Sequence, residues 1–235
     1  MRVLRSYVLR SYGSFHLKLW RFITFITAIV ALSTPAYAAT CAPAKLVHIV
    51  TTNVTPGIVP GSFQAQPKTL YRIGNNKIRI EESPDKASAI HGLIVISEPD
   101  IWMINLYDNT GHHILDSGPN LDAVAPVISF HGVPAKITAM ELGCEADYLT
   151  SNGIQPSGTE HIGSDNFTVY RISSGKDVLE LLDRQGTVTP AYARYYHAGK
   201  LGYAFRYDVY ELNLPDNPAL FTPPMGARIT ESKGR

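Results

Sequence analysis

Two adjacent histidines in the segment GHHILD, His112 and His113, are the residues whose types most directly suggest metal chemistry. Successive side chains of a β-strand point to opposite faces, so these two cannot bind one ion. His112 and Asp116 share a face but supply only two ligands. The histidines in the rest of the exported part lack the helical spacings of zinc enzymes: His48, His91, His131, His161 and His197. We therefore predict no metal site, unless His112 and Asp116 converge with His131 or His197 in three dimensions.

Groups for nucleophilic or acid–base catalysis are equally sparse. The chain has no G-x-S-x-G nucleophile elbow. Its acidic pairs Glu81–Glu82 and Asp177–Glu180 fall at predicted strand ends, where solvated carboxylates are ordinary. The possibility of a glycosidase-type carboxylate pair stays open at this point, because such a pair is defined by the distance between two carboxyl groups in space. We predict a protein that is not an enzyme and has no cofactor.

The chain contains two cysteines, Cys41 and Cys144, and both follow a predicted export signal. An even count in an oxidising compartment favours a disulfide. It would close a loop of about 100 residues, for which chain entropy gives roughly 4.7 kcal/mol. A metal or redox role for the pair is the alternative.

The first 38 residues have the features of a cleavable signal peptide. They contain five basic residues and no acidic one, followed by the apolar run FITFITAIVAL at 22–32. Eleven residues are too few for a membrane-spanning helix, which needs about 20. Ala36-Tyr37-Ala38 is typical of a signal-peptidase site, so we predict a mature start at Ala39 in the periplasm. A retained membrane anchor is the alternative.

Removal of the leader makes the chain acidic. The whole sequence has 21 Lys and Arg against 20 Asp and Glu, and loss of the five leader residues leaves 16 basic residues and a net charge of −4. The remaining basic residues are scattered singly, which argues against nucleic acid or anionic lipid surfaces as primary partners. Residues 39–235 are enough for one domain with its own core.

Turn residues recur every eight to twelve positions, which favours an antiparallel, mainly β domain. Strands are predicted at 45–52, in hairpins across the turns GNN and DNTG, and in the four runs between 165 and 214. The last strand alternates, with these residues on one face: Leu201, Tyr203, Phe205, Tyr207 and Val209.

Residues 133–153 have a helical rather than a β period. Ile137, Met140, Cys144 and Tyr148 recur at steps of three or four, and Asn152-Gly153 is a helix stop. We predict a single helix here, with Cys144 facing the sheet within reach of Cys41.

Several motifs occur in a recognisable order in the C-terminal eighty residues: PSGTEHIGSDNFTVYRI at 156–172, LELLD at 179–183, an aromatic strand, and NLPDNPALFTPPMG at 213–226. This order resembles the bacterial periplasmic lipoprotein-carrier-like superfamily, the fold of the Lol-type carrier. The turn motif is matched by Gly158, Glu160, Ile162 and Tyr170, although its glycine comes early, at Gly163. The closing motif is matched by Pro215, Asp216, Leu220, Phe221 and Pro224.

The resemblance implies a strongly curved antiparallel sheet, an unclosed half-barrel, with one or more helices over its concave face. Such a face can accept an acyl chain or an apolar peptide. The apolar and aromatic faces of two predicted strands are the candidate ligand-binding residues: Trp102, Ile104, Tyr203, Phe205 and Tyr207. Core packing is the alternative role for them.

The predicted export signal and fold are compatible with three functions. The first is an exported periplasmic carrier or sensor of an apolar ligand, which would be a lipid, an acyl chain or a lipoprotein. The second is an envelope structural or protein-interaction domain with a filled core. The third is a secreted hydrolase or metalloenzyme. For the closing motif, we expect Pro215 to end the last strand and Leu220 and Phe221 to pack back against the sheet.

Overall fold

The computed structural model describes residues 41–116, 118, 123–185, 187 and 189–233. The predicted signal peptide, residues 1–38, lies outside this part of the chain. Among the described residues, no helix has both the length and the apolar character needed to cross a membrane.

The described residues form a mainly β domain with two short α-helices. The strands are β1 (Leu46–Asn53), β2 (Lys68–Ile73), β3 (Lys77–Glu82), β4 (Gly92–Ser97), β5 (Asp100–Asn105), β6 (Thr110–Leu115), β7 (Pro156–Ile162), β8 (Asp165–Ser174), β9 (Asp177–Arg184), β10 (Pro190–His197), β11 (Lys200–Leu214) and β12 (Arg228–Lys233). The helices are α1 (Ala135–Thr138) and α2 (Glu145–Ser151), and 3-10 turns occur at Phe63–Ala65 and Pro218–Phe221.

All twelve strands belong to one sheet, in the order β12-β6-β5-β4-β3-β2-β1-β11-β10-β9-β8-β7. Every neighbouring pair is antiparallel except β12 and β6, which are parallel. The sheet is curved and does not close, because β12 and β7 are its two free edges. The predicted fold class, an unclosed half-barrel with helices over its concave face, is confirmed.

Alternation along the strands separates an inner, concave face from an outer face. In β4, Ile96 contributes to the main core on the inner face, whereas Leu93 and Val95 belong to a separate apolar cluster on the outer face. Two segments cover these faces. Residues 123–154, which we call the cover, lie on the inner face, and residues 215–227, which we call the strap, lie on the outer face.

The prediction of one helix across 133–153 is wrong, since the cover contains two. After α1, Glu141 forms an isolated antiparallel bridge with Pro126, and Gly143 takes a φ of +86°. A left-handed residue and an extended bridge both interrupt α-helical hydrogen bonding. A side chain at Gly143 would also begin only 3.1 Å from Val47. The expected inward face is nevertheless present, because Ile137, Met140, Cys144 and Tyr148 are all buried.

The inward face of β11 differs from the predicted alternation near both ends of the strand. Leu201 pairs with Tyr196 beyond a register shift in the pairing with β10, and it is not part of the main core. The pairing of β1 with β11 shifts between Val50–Val209 and Thr51–Tyr207. A bulge changes which residues share a face. As a result Tyr210, rather than Val209, joins Tyr207 against the main core.

The chain leaves the sheet after Leu214, as the prolines predict. Phe221 is 3% exposed, and its 3-10 turn packs on β3 and β4, where Arg79 Nη1 donates to Leu220 O at 3.4 Å. The strap then reaches β12 at the far edge, a strand that the sequence analysis did not predict. Gly111 of β6 pairs with Ile229 of β12 on one side and with Ile104 of β5 on the other. It allows β6 to approach β5 closely, since a Cβ there would lie 2.5 Å from the Met103 carbonyl oxygen.

Candidate functional site

The interface between the cover and the inner face is the best candidate for a ligand site. Its apolar part is closely packed. Ile137 and Met140 of the cover are fully buried, as are Ile49, Leu179 and Leu181 of the sheet. An apolar surface of this kind, covered by a separate segment of chain, is the type of surface that an acyl chain can occupy.

A carboxylate is buried in the middle of this apolar interface. Glu145, the first residue of α2, is 0% exposed. Tyr207 donates its hydroxyl to Glu145 Oε1 at 2.8 Å, Tyr210 donates to Oε2 at 2.6 Å, and the Gly143 N–H also donates to Oε2 at 2.9 Å. Burial raises the pKa of the Glu145 carboxyl to about 7, and these hydrogen bonds offset only part of that shift.

A second buried carboxylate of the cover is paired with a cation. Glu141 is 3% exposed, and its Oε2 lies 2.8 Å from Nη1 of the fully buried Arg72 on β2. Glu141 Oε2 also accepts a hydrogen bond from the Ala125 N–H at 3.2 Å. Arg72 uses its remaining donors on carbonyl oxygens, including those of Gly74 at 2.7 Å and Cys41 at 2.9 Å. Arg72 therefore links the sheet, the cover and the segment before β1.

The predicted disulfide between Cys41 and Cys144 is present, with a Cα–Cα distance of 5.9 Å. It fastens the residue just before α2 to the segment that precedes β1. No free cysteine occurs among the described residues. The covalent bond and the Arg72 contacts hold the same part of the cover, residues 141–144.

Three of the predicted ligand-binding residues lie on the inner face. Tyr203, Phe205 and Tyr207 follow one another along β11, with ring centroids 6.0 and 5.0 Å apart. Phe205 and Tyr207 are buried and Tyr203 is partly exposed. Phe130 of the cover, 47% exposed, packs edge-on against Tyr203 with a centroid distance of 5.1 Å. These residues form an aromatic row that runs from the surface to Glu145.

The other two predicted residues lie on the outer face. Ile104 is buried and Trp102 half-buried in the cluster that contains Leu93 and Val95. Trp102 also stacks on His113 at 5.1 Å. The structure therefore does not bring Trp102 and Ile104 together with the aromatic row, because the sheet lies between them.

Several of the described histidines pair with acidic side chains. Among the described residues, no group of three or more histidine, cysteine or acidic side chains is arranged to hold an ion. His113 lies between Asp100, at 2.7 Å, and Glu231, at 2.6 Å. His197 contacts Asp177 at 2.8 Å, and Asp177 also accepts a hydrogen bond from the Tyr195 hydroxyl. These are side-chain contacts on the strands and not ligand sets.

Two surface clefts lie outside the cover interface. One, of about 360 Å³, lies where β1 begins and β11 ends, between Leu46, Ile73 and Pro215. The other, of about 200 Å³, lies over β7–β9 and is lined by Glu160, Arg171 and Glu180. Both are shallow and partly polar.

Sequence reasoning missed the polar members of the interface: Arg72, Glu141, Glu145 and Tyr210. One partial signal for the carboxylates was available. Glu141 and Glu145 are four residues apart, in the same segment as the inward residues Met140 and Cys144. Each carboxylate directly follows an inward residue, which places it beside the inward face but does not indicate whether it is buried.

Comparison with known proteins shows similarity in structure only. No family model and no curated protein matches the chain. The structural matches include an uncharacterized conserved protein from Thermus thermophilus, at 11% identity and a TM-score of 0.47, which covers 80% of this chain and 91% of that one. A LolA superfamily protein from Nitrosomonas europaea matches at 13% identity and a TM-score of 0.33, over 77% of this chain and 91% of that one.

A third match, PNGF-II, has 12% identity and a TM-score of 0.34 over 81% of this chain, which spans 32% of that protein. TM-scores below 0.5 at such identities define neither a family nor a function for this chain.

Proposed function

We propose that this protein is an exported binding protein of the cell envelope, not an enzyme, that carries or senses an apolar ligand between the inner face and the cover. The ligand would be a lipid, an acyl chain or the lipid part of a lipoprotein. One observation carries the proposal: the open side of an apolar half-barrel is covered by a separate segment with two short helices, and not by further strands.

The cover has the properties of a replaceable element. Its helices contain four and seven residues, and isolated helices shorter than about 12 residues are marginal in water. Most of what holds them is therefore contact with the sheet. An apolar chain that takes over contacts of Ile137 and Met140 with the sheet would preserve most of the buried area.

The aromatic row supplies a route into this interface. Phe130 and Tyr203 lie at its accessible end, and Phe205 and Tyr207 lie inside. The disulfide and the Arg72–Glu141 ion pair hold the cover at residues 141–144, so α1 and the Phe130 loop can move while the cover stays attached. A disulfide is also typical of an oxidising compartment, which agrees with an exported protein.

Displacement of a neutral fluorescent probe, N-phenyl-naphthylamine, tests the proposal, together with native mass spectrometry of protein purified from a bacterial periplasm. We expect probe binding that acyl chains compete away, and co-purifying lipid. Phe130→Ser should weaken acyl-chain binding. Met225→Ser, a matched change at a fully exposed apolar residue of the strap, should not. Protein that arrives ligand-free and ignores both probe and acyl chains would refute the proposal.

A filled-core interaction domain of the envelope is the second candidate. The complete burial of Ile137, Met140, Leu179 and Leu181 favours it, because no space is left for a ligand while the cover is in place. The same experiment separates the two functions. Absence of acyl-chain binding with a stable fold would support the interaction domain.

A further inference from the structure

Glu145 differs from the other buried carboxylate of the cover in its partners. Glu141 is neutralised by the Arg72 guanidinium. Glu145 is held by two tyrosine hydroxyls of the sheet and one N–H of its own segment. A buried carboxylate without a cation is costly, so its position needs an explanation other than stability.

The two hydroxyls form a fixed pair on the sheet. Tyr207 and Tyr210 are three residues apart, and the β-bulge between them turns both to the inner face. Their rings meet edge to face, with centroids 5.7 Å apart and an interplanar angle of 83°. Each hydroxyl donates to a different oxygen of the same carboxylate. The pair therefore matches an acceptor with two oxygens on one carbon.

Both hydroxyls remain donors at any physiological pH. Burial is the main cause that raises the pKa of Tyr207 and of Tyr210, and the neighbouring Glu145 raises both further. If the Glu145 side chain left this place and nothing replaced it, the buried Tyr207 hydroxyl and the partly buried Tyr210 hydroxyl would lose their acceptor. Buried donors without acceptors are strongly disfavoured.

We infer that Glu145 occupies the place of a ligand carboxylate, and that the ligand is an apolar chain with a carboxylate at its end, such as a fatty acid. The inference rests on the proposed function and identifies its ligand class. In the bound state the ligand carboxylate accepts the hydrogen bonds of Tyr207 and Tyr210, and the apolar chain lies along the inner face that α1 leaves.

The surrounding charges favour a single carboxylate over a phosphate monoester. The negative charge of Asp183 helps to raise the pKa of both tyrosine hydroxyls, and that of Asp147 helps to raise the pKa of Tyr210. The Arg72 charge is paired with Glu141. A ligand carboxylate carries at most one negative charge at this place, as Glu145 does, whereas a phosphate monoester adds further negative charge beside these acids.

Competition by three ligands with the same twelve-carbon chain tests the inference: laurate, methyl laurate and dodecyl phosphate. Because hydrogen bonds to a charged acceptor are lost in the ester, we expect laurate to bind about tenfold more tightly than methyl laurate. Dodecyl phosphate should bind more weakly than laurate. In the variant with Tyr207→Phe and Tyr210→Phe, the preference for laurate over the ester should fall to about threefold or less.

Tyr192→Phe is the matched control, because Tyr192 packs on Phe167 in a separate cluster, and it should keep the full preference. The comparison of acid and ester in the unaltered protein needs no variant to fold. Equal binding of laurate and methyl laurate would overturn the carboxylate inference and leave the proposed function standing. A phosphate preference would also overturn it. Failure of all three ligands to bind would refute the proposed function, and this inference with it.

Discussion

The two faces of the sheet are covered by different kinds of chain. The cover on the inner face is partly helical and brings two carboxylates, Glu141 and Glu145, into an otherwise apolar interface. The strap on the outer face is proline-rich, and the apolar cluster below it consists of Leu93, Val95 and Ile104, against which Ala227 and Ile229 pack. Buried polar groups thus specify the position of the cover, whereas the strap is held mainly by apolar contacts, with one hydrogen bond from Arg79 to Leu220 O.

The difference assigns different tasks to the two segments. Apolar contacts tolerate exchange of one apolar side chain for another of similar volume, so a strap held mainly in this way contributes to stability. Hydrogen bonds and ion pairs depend on geometry and charge, so they define one position and can be exchanged for a ligand with matching groups. Under the proposed function, the inner face binds the ligand and the outer face contributes to stability.

The largest effect is expected at the ion pair that holds the cover. Arg72→Met leaves Glu141 buried without its cation, and should lower the free energy of unfolding by about 4 kcal/mol. Urea unfolding measures this loss. Replacement of both partners, Arg72→Met with Glu141→Leu, should restore most of it. A single variant as stable as the original protein would show that polar contacts do not fix the cover.

A substitution that removes apolar volume from the strap should lower the stability of the protein without affecting ligand binding. Phe221→Ala removes a ring that is 3% exposed and should cost about 3 kcal/mol. Binding of acyl chains by the folded variant should be unchanged. Leu212→Ala, at a residue that is 42% exposed, is the control with little effect. An unchanged melting temperature for Phe221→Ala would contradict the packing role of the strap.

Glu145 should make the stability of the inner interface depend on pH. Its pKa is raised in the folded protein to about 7, above the unfolded value, so its stabilising contribution is complete below the unfolded pKa and is lost as the pH rises. We expect a loss of about 2 kcal/mol between about pH 5 and pH 7.

Urea unfolding at a series of pH values, compared with Glu145→Gln, isolates this contribution. Asp183, whose pKa burial raises to about 6, acts in the same direction in both proteins and cancels in the difference. Parallel pH profiles of the two proteins would mean that Glu145 does not titrate as described.

The smallest effect is expected on the outer face, at His113. Burial lowers the pKa of His113, but its hydrogen bonds to Asp100 and Glu231 outweigh this and raise it overall. Exposed ion pairs contribute little, so His113→Gln should lower the free energy of unfolding by at most about 1 kcal/mol. A loss as large as that for Arg72→Met would remove the contrast between the two faces.

Much of the fold follows from local patterns. The turns GNN and DNTG predicted two hairpins that the structure contains, because turn residues act over a few positions. Burial of Ile137, Met140, Cys144 and Tyr148 followed from their helical period. The break between α1 and α2 could not be predicted from this period, since it depends on the Pro126–Glu141 bridge and on the contact of Gly143 with Val47.

The candidate site was less accessible from the sequence. The aromatic row on β11 was visible as alternation, but Tyr210 joins it only through a bulge that pairing with β1 imposes. Trp102 and Ile104 have the same alternation and lie on the opposite face. Alternation separates the two faces of a strand but does not identify which one is inner. Similarly, β12 is a short edge strand whose partner is distant in sequence, so no local pattern predicts it.

Hydrogen–deuterium exchange with and without laurate tests the central claim, that a ligand replaces the cover and leaves the strap in place. We predict faster amide exchange in residues 130–139 of the cover when laurate binds, and unchanged exchange in residues 215–227. Equal protection of both segments, or loosening of the strap alone, would contradict the account.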